Sequence, residues 1–300
     1  MHPRRLAPCL LAIAALALAC ESSGTSAPAA PDAAATADTP APPAATSRLA
    51  VIDRLAFARV ETTGVSYGFD LDDRVSDASD PAGCFQADFV SPSGATGIDN
   101  NFGSLFPFFA AAGIGAAEVL LQSTIEEGGI LLMFQLDGVD DPLNDEQVAL
   151  TVRTGLGKPL IATDGLILPG QTFHLRPDSP DSTTQTGRIV DGLLTAGPMD
   201  TVLRVQVLGD IYEMPIYGAT IRARVTEDGG LADGVIGTGI AIADLLKVGE
   251  SNSDVLNAMV LLFDATGDLA PDANGVCQQV SAAILFNAVS AYLYDEVAAP

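Results

Sequence analysis

The chain has 300 residues, 48% of them hydrophobic and 17% charged, with a mean hydropathy of +0.32. That is enough apolar material to bury a sizeable core, which excludes a wholly disordered chain. Lys and Arg number 14 against 38 Asp and Glu, a net charge of −24; so acidic a surface repels phosphate backbones and anionic lipid headgroups, and argues against nucleic acid as a partner.

Arg4 and Arg5 precede an apolar stretch, Leu6 to Ala19, broken only by Pro8 and too short to span a bilayer as a permanent helix. This predicts a signal peptide over 1–19. It ends Ala17-Leu18-Ala19-Cys20, which resembles the lipobox of bacterial lipoproteins, where small residues precede a cysteine whose sulfur takes the lipid as a thioether. The family's usual Leu is replaced here by Ala17, with Leu18 one place later. The resemblance implies cleavage after Ala19, lipidation of Cys20, and a mature chain exported and anchored to the envelope at the outer membrane. An ordinary secretory signal cleaved near Ala19 is the alternative. In residues 21–47, Ala, Pro, Ser and Thr fill 23 of 27 positions. Proline stops the alanines from propagating a helix, so 20–47 is expected to be the lipidated cysteine and a disordered tether with a reach of about 30 Å. Residues 48–300 are expected to form a single folded domain.

Within it, 50–60 and 61–69 read as strands leading into an acidic loop. Ala117, Leu120, Leu121 and Ile125 recur at helical spacing and predict a helix over roughly 115–126, ended by Gly128-Gly129. The period then changes to two. Strands are predicted over 130–136, around Val148, Leu150 and Val152, and over 171–176, 188–195, 201–208, 211–217 and 219–226, the last with Ala219, Ile221, Ala223 and Val225 on one face. The run Gly234-Val235-Ile236-Gly237-Thr238-Gly239 lacks the phosphate-loop pattern and reads as a strand end or bulge. Helices return at the end: one ending within 244–248, one capped by Ser253 with Val255, Leu256, Met259, Val260 and Phe263 on a face, and one over 278–295 carrying Ile284, Leu285, Ala288, Tyr292 and Leu293. The expected fold class is therefore α+β: one domain with a curved antiparallel β-meander, flanked by helices at its N- and C-terminal ends.

After cleavage and lipidation only Cys84 and Cys277 remain as thiols in an oxidising setting, and they are expected to form a disulfide; two separate buried thiols are the alternative. His174 is the only histidine left, which excludes zinc sites of several imidazoles. It lies between Phe173 and Leu175 on an alternating stretch and is expected to face outward. Gly64-Val65-Ser66-Tyr67-Gly68 matches the pattern of a hydrolase nucleophile turn, but an acidic loop follows where that turn needs a helix.

Asp70, Asp72 and Asp77 stand in the first acidic loop, which resembles a degenerate thrombospondin type 3 calcium repeat: a D-x-D start with Cys84 trailing it, but Arg74 and Val75 where the repeat has Asp and Gly. Asp137, Asp140 and Asp145 stand in a second loop between two strands. Hard carboxylate oxygens on a turn suit calcium; solvated turn residues are the alternative reading. Paired carboxylates also serve glycosidases, but the chain has no Trp and five Tyr with which to build sugar platforms. Gly68 through Asp73 and Gly97-Ile98-Asp99-Asn100 resemble uncharacterised exported lipoproteins of Gram-negative bacteria, a resemblance that implies no activity.

These readings predict a non-enzymatic lipoprotein with a binding or structural role at the envelope. It would be held to the membrane through Cys20 and partnered by a protein or an apolar ligand, with no catalytic residue and no cofactor other than calcium. A carrier of an apolar ligand under the sheet is one alternative; an enzyme using Asp/Glu chemistry is another.

Overall fold

A computed structural model describes residues 46–111, 117–179, 181–207, 210–247 and 253–294, all within one unit, Pro43–Pro300. Cys20, the signal segment and all but the last two residues of the tether lie outside the described residues. The elements run β1 (Thr46–Phe57), a 3-10 helix (Asn101–Leu105), α1 (Phe106–Ala111), α2 (Ala117–Glu126), β2 (Leu132–Val139), β3 (Asp145–Leu156), β4 (Gln171–Leu175) and β5 (Ser182–Val190). They continue with β6 (Leu193–Val207), β7 (Asp210–Val225), β8 (Leu231–Ala241), α3 (Ile242–Lys247), α4 (Ser253–Asp264), β9 (Leu269–Pro271) and β10 (Cys277–Leu293). β1 thus takes in Thr46 and Ser47, which the sequence assigned to the tether.

Eight strands close on themselves. β1 pairs with β2, β2 with β3, β3 with β5, β5 with β6, β6 with β7, β7 with β8, β8 with β10, and β10 back with β1, every pair antiparallel. A ring of this kind leaves no edge among its eight members. β4 lies parallel to the end of β10, and β9 is a short partner to its start.

The expected α+β meander flanked by helices is therefore corrected: the described residues are mostly β, 49% strand and 15% helix, built on a closed eight-stranded antiparallel barrel. The decisive difference is β10. Its alanines and the spacing of Ile284, Leu285, Ala288 and Tyr292 suggest a helix, yet 277–293 is the longest strand described. Val280, Ala282, Ile284, Phe286 and Ala288, all buried, share one face at period two. Pairing on both sides, with β1 and β8, outweighs the local helix preference of alanine. Four smaller expectations are corrected. Residues 61–69 form no strand and make only isolated bridges, Val65 to Val90 and Phe69 to Asp99. The segment 188–195 straddles the turn between β5 and β6, and 211–217 and 219–226 belong to one strand, β7. The glycine-rich run lies inside β8.

The barrel interior is apolar, with Leu55, Phe134, Leu150, Val152, Ile189, Leu194, Ile221 and Ile284 all buried. Phe134 and Phe286 meet at 5.0 Å between ring centres. Alternate positions such as Arg188 and Arg224 are exposed, the reverse of a membrane-spanning barrel, whose apolar side chains face outward. No described helix is long and apolar enough to cross a membrane.

Helices serve as covers. α2, found close to its expected bounds and ended by hydrogen bonds from Gly128 N to Ile125 O and Gly129 N to Thr124 O, buries Ile125 in the main core. The 3-10 helix, α3 and α4 supply Leu105, Ile242, Leu245 and Phe263 to a second core that covers Ile240, Val280 and Ala282. Phe263 is the buried anchor of the α4 face read from the sequence.

Candidate functional site

Between β1 and the 3-10 helix the chain makes a long excursion, residues 58–100, that carries most of the polar chemistry. It is fixed to the barrel by close approach and by polar side chains rather than by strand pairing. Phe69 lies over Gly237 of β8, where a Cβ would come within 2.5 Å of the ring, and the Arg222 guanidinium lies over the ring 5.1 Å from its centre. This explains why β8 carries glycine in its interior: the excursion needs the space.

Asn100 is the central tie. It is buried, and its side chain donates to Ala58 O (3.0 Å) and Ser66 Oγ (2.8 Å) while accepting from Ala283 N (2.9 Å) and Gly103 N (3.2 Å). Its amide takes over where β1 leaves β10, satisfying backbone groups that the ladder no longer serves. Beside it, Ser281 Oγ accepts from Asn101 N (2.8 Å) and donates to Asp268, whose other oxygen accepts from Ser281 N (2.7 Å). Burial pushes the Asp268 carboxyl up to about 7, against the opposing pull of its Ser281 hydrogen bonds. The Cys84–Cys277 disulfide, with Cα atoms 6.0 Å apart, closes the far end of the excursion onto the start of β10, and Gln86 donates to Ala265 O nearby (3.2 Å). The expected disulfide is present.

Ser66 of the hydrolase-like pattern sits in this network. It is buried, accepts from Asn100 and donates to Tyr67 O (2.9 Å), so its hydroxyl serves the fold. His174 stands on β4, exposed as expected and stacked on Tyr294 at 4.2 Å, with Phe173 buried beside it.

Of the six acidic residues expected to bind calcium, the structure brings two together and adds a third. Asp70, Asp72 and Asp99 each offer a carboxylate oxygen, all within 4.8 Å of one another. Asp99 is buried and accepts from Leu71 N at 2.6 Å; Asp70 accepts from Arg74 N at 3.0 Å. The loop closes on Gly97, at φ +77, where a Cβ would lie 2.6 Å from Arg74 O. One oxygen of Asp72, Oδ1, is buried without a hydrogen-bond partner. Burial raises the Asp99 carboxyl to about 8, with the charges of Asp268, Asp72 and Asp88 adding to it. Asp72 is raised by burial and then by Asp88 and Asp70, and Asp88 chiefly by burial. Arg74 Nε lies 4.0 Å from Asp72 and offsets part of this charge; crowded, partly dehydrated carboxylates of this kind hold protons or a hard cation against the rest.

Three of the other expected ligands accept hydrogen bonds from close neighbours in the chain, and Asp140 is exposed. Asp77 accepts from Ser79 N (2.7 Å) and Ser79 Oγ (2.5 Å), which hold its carboxyl below the usual range. Asp145 accepts from Asp140 N (2.8 Å) and Gln147 N (3.0 Å), and Asp137 from Gln135 Nε2 (2.9 Å). Among the described residues, no group of three such ligands forms at the second loop, which closes the β2–β3 hairpin instead. Sequence reasoning missed Asp88, Asp99 and Asp268 as members of the acidic group. Their distance along the chain hid them, and the phrase Gly97-Ile98-Asp99-Asn100 was the one local signal.

Inside the barrel, the void lined by Leu55, Phe134, Ile216, Ile221 and neighbouring side chains holds about 30 Å³, room for roughly one water. A drug-sized apolar ligand needs about ten times that volume.

No protein-family model matches the chain, and neither a curated protein nor a solved structure matches it significantly.

Proposed function

We propose that the protein is an exported lipoprotein, anchored through Cys20, whose barrel domain has a binding or structural role at the cell envelope and catalyses no reaction. The observation that carries the reading is the Cys84–Cys277 disulfide, because such bonds form and persist in oxidising compartments outside the cytosol. The lipobox-like Ala17-Leu18-Ala19-Cys20 supports the anchor. The small interior void speaks against the carrier alternative, so a partner would meet the outer surface and the loops. Expressed in a Gram-negative host, the protein should partition with membranes, and Cys20→Ser should release it or stall its processing. Unchanged partition and processing in that variant would overturn the anchored reading.

A second reading concerns the acidic group. Convergence of Asp70, Asp72 and Asp99, with the partnerless Asp72 Oδ1, favours a calcium ion as the ligand of the first loop. On this reading the ion ties the first acidic loop to the end of the excursion at Asp99, and its test is a calcium-specific gain in stability.

A further inference from the structure

The chain that precedes the described residues reaches the barrel at Thr46, the start of β1. Ser47–Leu49 and Ser290–Leu293 share the wall of an open groove of about 360 Å³ there, so Tyr292 stands beside the entry point. β4 runs along Ala291–Leu293, and Gly170 N donates to Ser290 O at 2.7 Å. Gln171 accepts from Leu160 N (2.7 Å) and donates to Leu160 O and Leu168 O, which holds that loop against the same strand. On the other side of β4, Leu156 pairs with His174, which stacks on Tyr294. β4 therefore gathers five large apolar side chains, and all are exposed: Leu160 by 66%, Tyr292 by 62%, Tyr294 by 53%, Leu156 by 42% and Leu168 by 40%.

We propose that this β4 face rests on the lipid surface that holds Cys20. The inference rests on the anchored reading above and adds an orientation to it. Two observations point to a membrane as the occupant. Tyrosine, with an apolar body and a polar tip, suits the boundary between headgroup and acyl chain. Tyr292 also stands beside the point where the chain leading from Cys20 arrives, and 25 residues of that composition reach about 30 Å. Held so close, even a weak surface contact is favoured by its effective concentration.

The chain lacks Trp, so Leu160→Trp makes a single reporter on this face, and Tyr292→Trp a second. Leu261→Trp reports from the exposed side of α4, where Leu261 is 75% exposed. Each lipidated full chain is reconstituted into phosphatidylethanolamine–phosphatidylglycerol vesicles with brominated or plain acyl chains, and flotation is read beside fluorescence. The expected result is loss of emission with brominated lipid for Leu160→Trp and Tyr292→Trp, and none for Leu261→Trp. Flotation with no quenching at either β4 reporter would overturn the orientation while leaving the anchor standing, and would point to a protein as the occupant of the face. Equal quenching of all three would also overturn it. Failure of the lipidated wild type to float would overturn the anchored reading, and this one with it.

Discussion

The barrel wall and the 58–100 excursion are held by different forces, although they touch along β8 and β10. In the wall, antiparallel ladders close on themselves and apolar side chains fill the centre, with Phe134, Leu150, Ile189, Leu194 and Ile221 essentially removed from water. In the excursion the backbone makes few ladder bonds, and its place is set by one disulfide, the amide of Asn100, the Ser281–Asp268 pair and a set of crowded carboxylates. Burial of apolar area responds little to pH, redox state or ions, whereas each tie in the excursion responds to one of them. Changes of pH, redox state or ions therefore act on the excursion, while the barrel supplies a scaffold indifferent to them.

The largest expected effect lies in the wall. Phe134→Ala should cost about 3–5 kcal/mol in urea unfolding, through lost burial and the cavity left against Phe286. Arg224→Ala on the outer face should stay within about 0.5 kcal/mol. Comparable losses for the two would break the claim that the wall stands on its interior.

Asn100→Ala comes next, at about 3 kcal/mol, because four backbone and side-chain partners lose their match in a buried setting. A loss below about 1 kcal/mol would mean that water replaces the amide and that the excursion is held elsewhere.

A pH effect follows. Asp268 holds its proton up to about pH 7 in the folded state and Asp99 to about pH 8, against about 4 for either when unfolded. Between these limits the folded state binds more protons, so stability falls as pH rises from about 4 towards 8 and levels off above that. Asp268→Asn should flatten the lower part of the slope, leaving a residue from Asp99, which faces Asp72, Asp88 and Asp268. A slope unchanged by Asp268→Asn, or stability that rises across this range, would contradict the assignment.

The smallest expected effect is from calcium. On the second reading it should raise the melting temperature in a saturable way that sodium at equal ionic strength does not reproduce, and Asp99→Asn should abolish the difference. Identical responses to both salts would leave these acids as turn residues without an ion.

The parts legible in the sequence are those where local pattern and burial agree. Val148, Leu150 and Val152 of β3 and the Ala219–Val225 face of β7 alternate because one side of each strand enters the core, and α2 and α4 show helical spacing because each covers apolar surface. Cys84 and Cys277 are left as a pair once Cys9 falls in the expected signal peptide and Cys20 at the expected lipidation site. What escaped depends on distant chain segments. β10 carries Ala282, Ala283, Ala288 and Ala291 at sites crowded by neighbouring elements, and that composition reads as helix until β1, more than 200 residues earlier in the chain, is known to lie beside it. The run around Gly237 reads as a strand end or bulge because Phe69, which needs the space above it, is far off in sequence. In the same way Asp70 and Asp72 could be named from their spacing, but Asp99 joins them only because the loop folds back on Gly97.

Hydrogen exchange before and after reduction of the Cys84–Cys277 disulfide tests the contrast between the two regions most directly. Reduction should strip protection from excursion amides such as Ser66, Leu71, Phe89 and Ile98, while amides paired between β3 and β5 and between β6 and β7 keep theirs. Equal loss across those barrel strands, or unchanged protection in the excursion, would contradict the division of the molecule into an apolar scaffold and a polar, environment-dependent attachment.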